Sequence, residues 1–434
     1  MAPRSPKTKG LSATQRARGR KLAIASHPAG NAFGAALTDH LPTLTLMALG
    51  AGEAMIGAQS AIKTGATLLQ LPTLRRVAHT PKRTLLVAGH TLAVLGMLPL
   101  LGFARLAEHA EAGAPWPSWI ALTSLTIVAA GISISNTVWF PMLRAYVEPA
   151  RIGQFFGLLR SGWHLSLIFF YLGASWWLKA EPGRFAPLFW VLLGLGAARF
   201  LLIVRMPEQS EMTESGIRVR EAFALIRDNS DLQRYLISVT TGQALRASVL
   251  PFALVMLRRE IGLADSQLLA TTVAGFAGGL VSLYLWGRLI DRKGPAIVFK
   301  TTSIGMAILT LGLLGITAGT STTFHAVIAF FFLYSMLSVG FGIADTHVLF
   351  HLAPVDSPAR TLVACAVAVG LVASILPLLA GISIQGGLQG SSDRLLVYHG
   401  FFIVTAAIQA VNWWPMRVFR SGGAIEARGG IRSE

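Results

Sequence analysis

Apolar runs separated by short polar connections recur along the chain from residue 29 to residue 415. A helix needs about 20 mostly apolar residues to cross a bilayer, and that rule predicts twelve spans. They fall near 29–49, 55–74, 84–104, 117–141, 153–178 and 186–204, then near 235–257, 267–287, 297–318, 324–349, 361–385 and 396–415. Between the sixth and seventh lies the longest polar stretch, 205–234, which holds Glu208, Glu211, Glu214, Glu221, Asp228 and Asp231. Within it, Ile217 to Ile226 has the pattern of a short amphipathic surface helix. The stretch divides the chain into two six-span halves, 29–204 and 235–415. Residues 1–28 form a basic tail without an acid, expected to be disordered, and 416–434 form a second tail. The fold class expected is an all-α polytopic membrane protein, twelve transmembrane helices in two pseudo-symmetric six-helix bundles.

Composition agrees with that class. A length of 434 residues would suit two or three soluble domains, but 53% hydrophobic residues, 13% charged residues and 44 glycines point to helices in lipid. The net charge of +17 would suggest nucleic acid in a soluble protein. Here the basic residues sit in the connections, so anionic lipid headgroups are the expected partner and nucleic acid is not. Most of the 37 Lys and Arg lie in the two tails and in alternate connections. That bias predicts both termini in the cytoplasm, with the chain in the cell inner (plasma) membrane. Trp116, Trp119, Trp176, Trp177, Trp413 and Trp414 fall at predicted span ends, as an interfacial belt would. The first residues contain no apolar segment of the kind a cleaved signal requires. The single cysteine, Cys365, excludes a disulfide framework and is expected to be a small packed residue.

The halves carry traces of a repeat. Val147-Glu148-Pro149-Ala150-Arg151 precedes span 5, and Asp356-Ser357-Pro358-Ala359-Arg360 precedes span 11. After span 8 comes Gly287-Arg288-Leu289-Ile290-Asp291-Arg292-Lys293-Gly294, a charged turn bounded by glycines. Its G-x-x-x-D-R-x-G pattern, with the twelve spans and the long middle connection, resembles the major facilitator superfamily. The equivalent loop after span 2, Leu74 to Arg83, keeps basic residues but has Ala78 at the acidic position. The resemblance implies that spans 1, 4, 7 and 10 line a central cavity. It also implies that Gly287, Asp291, Arg292 and Gly294 act in gating, with Asp291 facing the start of span 5 near Arg151 to Gln154.

Ionisable groups at membrane depth are costly and mark candidate sites. Asp39 and His40 fall midway along span 1, where neighbours in a helix point apart. Lys63 lies in span 2, one turn after Gln59. Arg160 and His164 share a face of span 5, and Gln243 and Arg246 share a face of span 7. Asp345 lies in the inner part of span 10, and Asn136 in span 4. Arg199, near the end of span 6, is expected to reach the interface by its long stem. Leaving Arg199 aside, the cations are Lys63, Arg160 and Arg246, and the acids Asp39 and Asp345. The excess suits a carboxylate or phosphate on the solute. Lys63, Asn136, Arg160, His164, Gln243 and Arg246 are therefore the expected substrate contacts, with Asp39 and Asp345 as proton-coupling groups.

No Walker A pattern, H-E-x-x-H, Cys-His cluster or G-x-S-x-G occurs, so neither an ATP-driven pump nor an enzyme is expected, and no cofactor or metal is needed. The expectation is a monomeric secondary transporter that moves a small organic anion with protons by alternating access. A drug/proton antiporter exporting cationic or amphipathic compounds is the first alternative. A non-transporting sensor or assembly factor on the same scaffold is the second.

Overall fold

The computed structural model describes residues 11–77, 79–147, 152–208, 224, 226–320, 322–352 and 358–419. Among them every regular element is helical. Span 1 is Ala13–Ala36 followed by His40–Ala48. Span 2 is Glu53–Gly65 continuing through Gln70–Val77, and span 3 runs from Lys82–Met97 to Phe103–Glu111. Spans 4, 5 and 6 are Trp116–Arg144, Ile152–Ala180 and Ala186–Ile203. Spans 7 to 10 are Ser230–Arg259, Asp265–Lys293, Pro295–Gly312 and Thr323–Leu352. Span 11 joins Pro358–Ala373 to Ile375–Gly390, and span 12 is Arg394–Val411. Nine of these helices are long and apolar enough to cross a membrane. The nine are spans 3, 4 and 6 to 12.

The spans are read as alternating in direction, so Leu11 and Phe419, the first and last described residues, share one face, here called the tail face, opposite the far face. Within the first half, span 3 packs along span 4, and span 1 along span 6. In the second half, span 9 packs along span 10 and span 12. The halves meet along two pairs, span 2 with span 11 and span 5 with span 8. Exchanging each span for its equivalent in the other half, 2 for 8 and 11 for 5, turns one pair into the other, which is the two-fold relation expected of repeated halves. Span 2 crosses span 11 where both lack side chains. A Cβ on Gly57 would lie 2.3 Å from the Pro377 carbonyl oxygen, and one on Gly381 would lie 2.5 Å from the Glu53 carbonyl oxygen.

Two local features differ from expectation. The basic tail is helical from Ala13. Ser12 and Gln15 form a reciprocal capping box, with Ser12 Oγ accepting from Gln15 N at 3.2 Å and Gln15 Oε1 accepting from Ser12 N at 2.9 Å. Arg20 then donates to the Tyr146 carbonyl oxygen at 3.1 Å, and the Tyr146 ring packs on Gly19. The second difference is a break in span 1 at Leu37 to Asp39. Pro42 has no N–H and its ring collides with the carbonyl four residues earlier, that of Thr38. The helix therefore stops at Ala36 and restarts at His40, with Asp39 in a non-helical conformation.

The turn after span 8 forms as expected. Gly294 takes φ +78° as it ends that helix, a conformation that side chains disfavour. Ala78, the Pro149-Ala150-Arg151 segment, the side chains of Pro358, Ala359 and Arg360, both remote tails and nearly all of Ile217 to Ile226 lie outside the described residues.

Candidate functional site

A cavity of about 420 Å³ lies between the halves. Span 1 contributes Thr38, Asp39, His40 and Thr43; span 2 contributes Gln59, Ser60, Lys63 and Thr64; span 5 contributes Trp163 and His164. From the second half come Gln243, Arg246 and Leu250 of span 7, Gly275, Phe276 and Gly279 of span 8, and Ser335, Ser338 and Val339 of span 10. Asp39, Lys63, His164, Gln243 and Arg246 are thus brought together from four regions of sequence.

Charge in this space is unbalanced. Arg246 donates to the Ser338 carbonyl oxygen at 3.2 Å and lies over the Phe341 ring at 5.2 Å, while its Nε is buried without a partner. Neither Arg246 nor Lys63 forms an ion pair among the described residues. Asp39 is the single acid in the lining, and its carboxylate lies 3.7 Å from His40 Nε2. Neighbours in an intact helix would diverge, but Asp39 is not helical, so the break in span 1 lets the two side chains meet. His40 also reaches the second half, with Nδ1 2.6 Å from Thr272 Oγ1 of span 8.

Other expected residues stand elsewhere. Asp345 is outside the lining and accepts the Tyr235 hydroxyl at 2.5 Å. Arg160 is exposed and outside the lining; its carbonyl oxygen contacts His164 Nδ1 at 2.9 Å. Asn136 is exposed on span 4, away from the lining. Arg199 does not extend to an interface. It is buried over Trp139 at 5.2 Å, seated where Gly30 leaves room. Asp291 and Arg292 are exposed at the tail face, and the electrostatic neighbour of Asp291 is His347 in the same half. The residues 151–154 expected opposite Asp291 lie outside the described side chains.

The far side of the cavity is closed by contacts that sequence reasoning missed. Buried Glu53, at the start of span 2, accepts Arg259 Nη1 at 2.5 Å and the Tyr398 hydroxyl at 2.8 Å. Arg259 also donates to the Ala51 carbonyl oxygen at 2.5 Å. Gln385 accepts the Ala54 N–H at 3.0 Å, and Ser175 donates to the Ser266 carbonyl oxygen at 2.8 Å. Ser60 donates to the Ala247 carbonyl oxygen at 2.5 Å. Each of these joins one half to the other. The one available sequence signal was an acid and two arginines at predicted far-face ends, which fit the loop pattern without naming a partner.

The sequence profile described as the Major Facilitator Superfamily matches residues 29–377. The chain belongs to that superfamily. Solved structures agree with it in fold. A nucleoside transporter, NupG, is 14% identical, superposes with a TM-score of 0.70 and covers 93% of this chain and 99% of its own. A POT family transporter in complex with 5-aminolevulinic acid is 11% identical, with a TM-score of 0.69 and 93% and 96% coverage. A bacterial homologue of the iron transporter ferroportin, in an inward-facing state, is 14% identical, with a TM-score of 0.65 and 92% and 98% coverage. No curated protein matches the chain by sequence. This superfamily member is a multi-pass membrane protein of the transporter type rather than an enzyme.

Proposed function

We propose that this protein carries a small organic anion by alternating access, driven by protons. The observation that bears most on the reading is Arg246. Its guanidinium lines the cavity without an ion pair among the described residues, and Asp345, its electrostatic neighbour, stands outside the lining and is bonded to Tyr235; a cation at membrane depth that lacks a direct partner is costly unless a ligand supplies the counter-charge. Lys63 adds a second cation from the other half. Asp39 is the proton carrier in this reading, since it is the acid in the lining. Asp345 remains a second proton-coupling candidate, held by Tyr235. Gly287 to Gly294 serves the tail-face gate. By the positive-inside rule the tail face is cytoplasmic and the membrane is the inner one, with anionic lipids against the basic loops and a monomer as the working unit.

The solved structures of like fold are named as a nucleoside transporter, a POT family transporter and a homologue of an iron transporter. At that identity they share a fold, so the lining of this cavity has to choose the solute. Cationic drug efflux fits it less well, because two cations face one acid. A cavity of about 420 Å³ between the halves likewise supports transport over a non-transporting scaffold. The test is uptake into proteoliposomes of a carboxylate found by ligand stabilisation of the purified protein, since binding to the folded state raises stability. Arg246→Gln is expected to remove the stabilisation. Asp39→Asn is expected to abolish proton-driven uptake while sparing exchange, and unchanged concentrative uptake in that variant would refute the carrier assignment.

A further inference from the structure

We infer that the solute is a planar organic carboxylate, its acid group on Lys63 and Arg246 and its flat body against Trp163 and Phe276. This rests on the anionic reading and narrows it. The lining is not evenly mixed. Spans 2 and 11 meet on one side of the interface and spans 5 and 8 on the other. Lys63 comes from the first side; Trp163 and Phe276 come from the second. Phe276 is held in place by Tyr171, stacked at 5.8 Å and 18°, and by His164, edge-on at 6.2 Å and 78°. Gly275 and Gly279 flank it in the lining and let Ser335 and Val339 of span 10 pack close to span 8. A flat apolar group can lie against the ring in an offset or edge-on contact, while the acid group reaches the cations across the cavity. The volume of about 420 Å³ lies within the range of roughly 300–1,000 Å³ for small-molecule sites.

Thermal stabilisation of the purified protein by benzoate, acetate, benzylamine and benzyl alcohol tests this. Benzoate should bind most tightly. Trp163→Leu should weaken benzoate about tenfold and leave acetate unchanged. Acetate equalling benzoate would overturn the planar body and leave the anionic reading standing. Preference for benzylamine would overturn both.

Discussion

The far and tail sides of the molecule use their hydrogen bonds differently. On the far side the bonds run between halves: Glu53 to Arg259 and Tyr398, Ala54 to Gln385, Ser60 to Ala247, Ser175 to Ser266. On the tail side, among the described residues, they stay inside a half. Arg20 donates to the Tyr146 carbonyl oxygen and Tyr146 to that of Pro207, Arg83 pairs with Glu208, and Tyr235 bonds Asp345. The first set holds one arrangement of the two bodies; the second set makes each body stiff. Rigid halves joined by contacts on one side are what a rocking motion about a central site requires.

Breaking the far side should have the largest effect. Glu53→Ala leaves Arg259 without its carboxylate, and losing one partner of a buried pair costs about 3–5 kcal/mol. The thermal midpoint should fall. A cysteine placed at Leu250, in the cavity wall, should also become reactive to an impermeant maleimide applied from the far side. If labelling does not rise, this pair does not hold the closure. Gly57→Ala comes next. The added carbon meets a backbone oxygen at 2.3 Å, which cannot swing away, so overpacking of about 1–3 kcal/mol should fall on the closed arrangement and raise the same labelling.

The tail side should respond in stability alone. Tyr146→Phe removes one hydrogen bond to Pro207, worth about 1 kcal/mol, and should leave far-side labelling as it was. Burial, then the nearby Glu208 charge, pushes the Tyr146 phenol well above its ordinary range, so this loss should not vary between acid and neutral pH. The smallest effect is expected for Asp291→Asn. An exposed side chain away from a packed feature changes stability by less than about 0.5 kcal/mol, so a large fall in uptake without a fall in stability would mark Asp291 as a gate. Unchanged uptake would return it to an ordinary turn.

The layout was legible because lipid leaves a chain few options. Backbone groups must be paired within each segment, so the length and spacing of apolar runs decide the number of helices, and Gly287 to Gly294 carried the family resemblance. Depth along a span also picked out Asp39, Lys63, Gln243 and Arg246 as groups with reason to face one another. Depth does not determine which way a residue faces around a helix, and that is why Asn136 and Arg160 stand outside the cavity.

By itself, then, the sequence determined an all-helical, two-part membrane protein with an unbalanced set of buried charges. Local chemistry and the demands of the bilayer suffice for that. Only the tertiary structure decided that Asp39 meets His40, that His40 reaches Thr272, and that Glu53 finds Arg259 at a separation of 206 residues. Those pairings depend on how two preformed bodies dock, and docking is fixed by close contacts such as Gly57 on span 11, which no property of a single segment encodes.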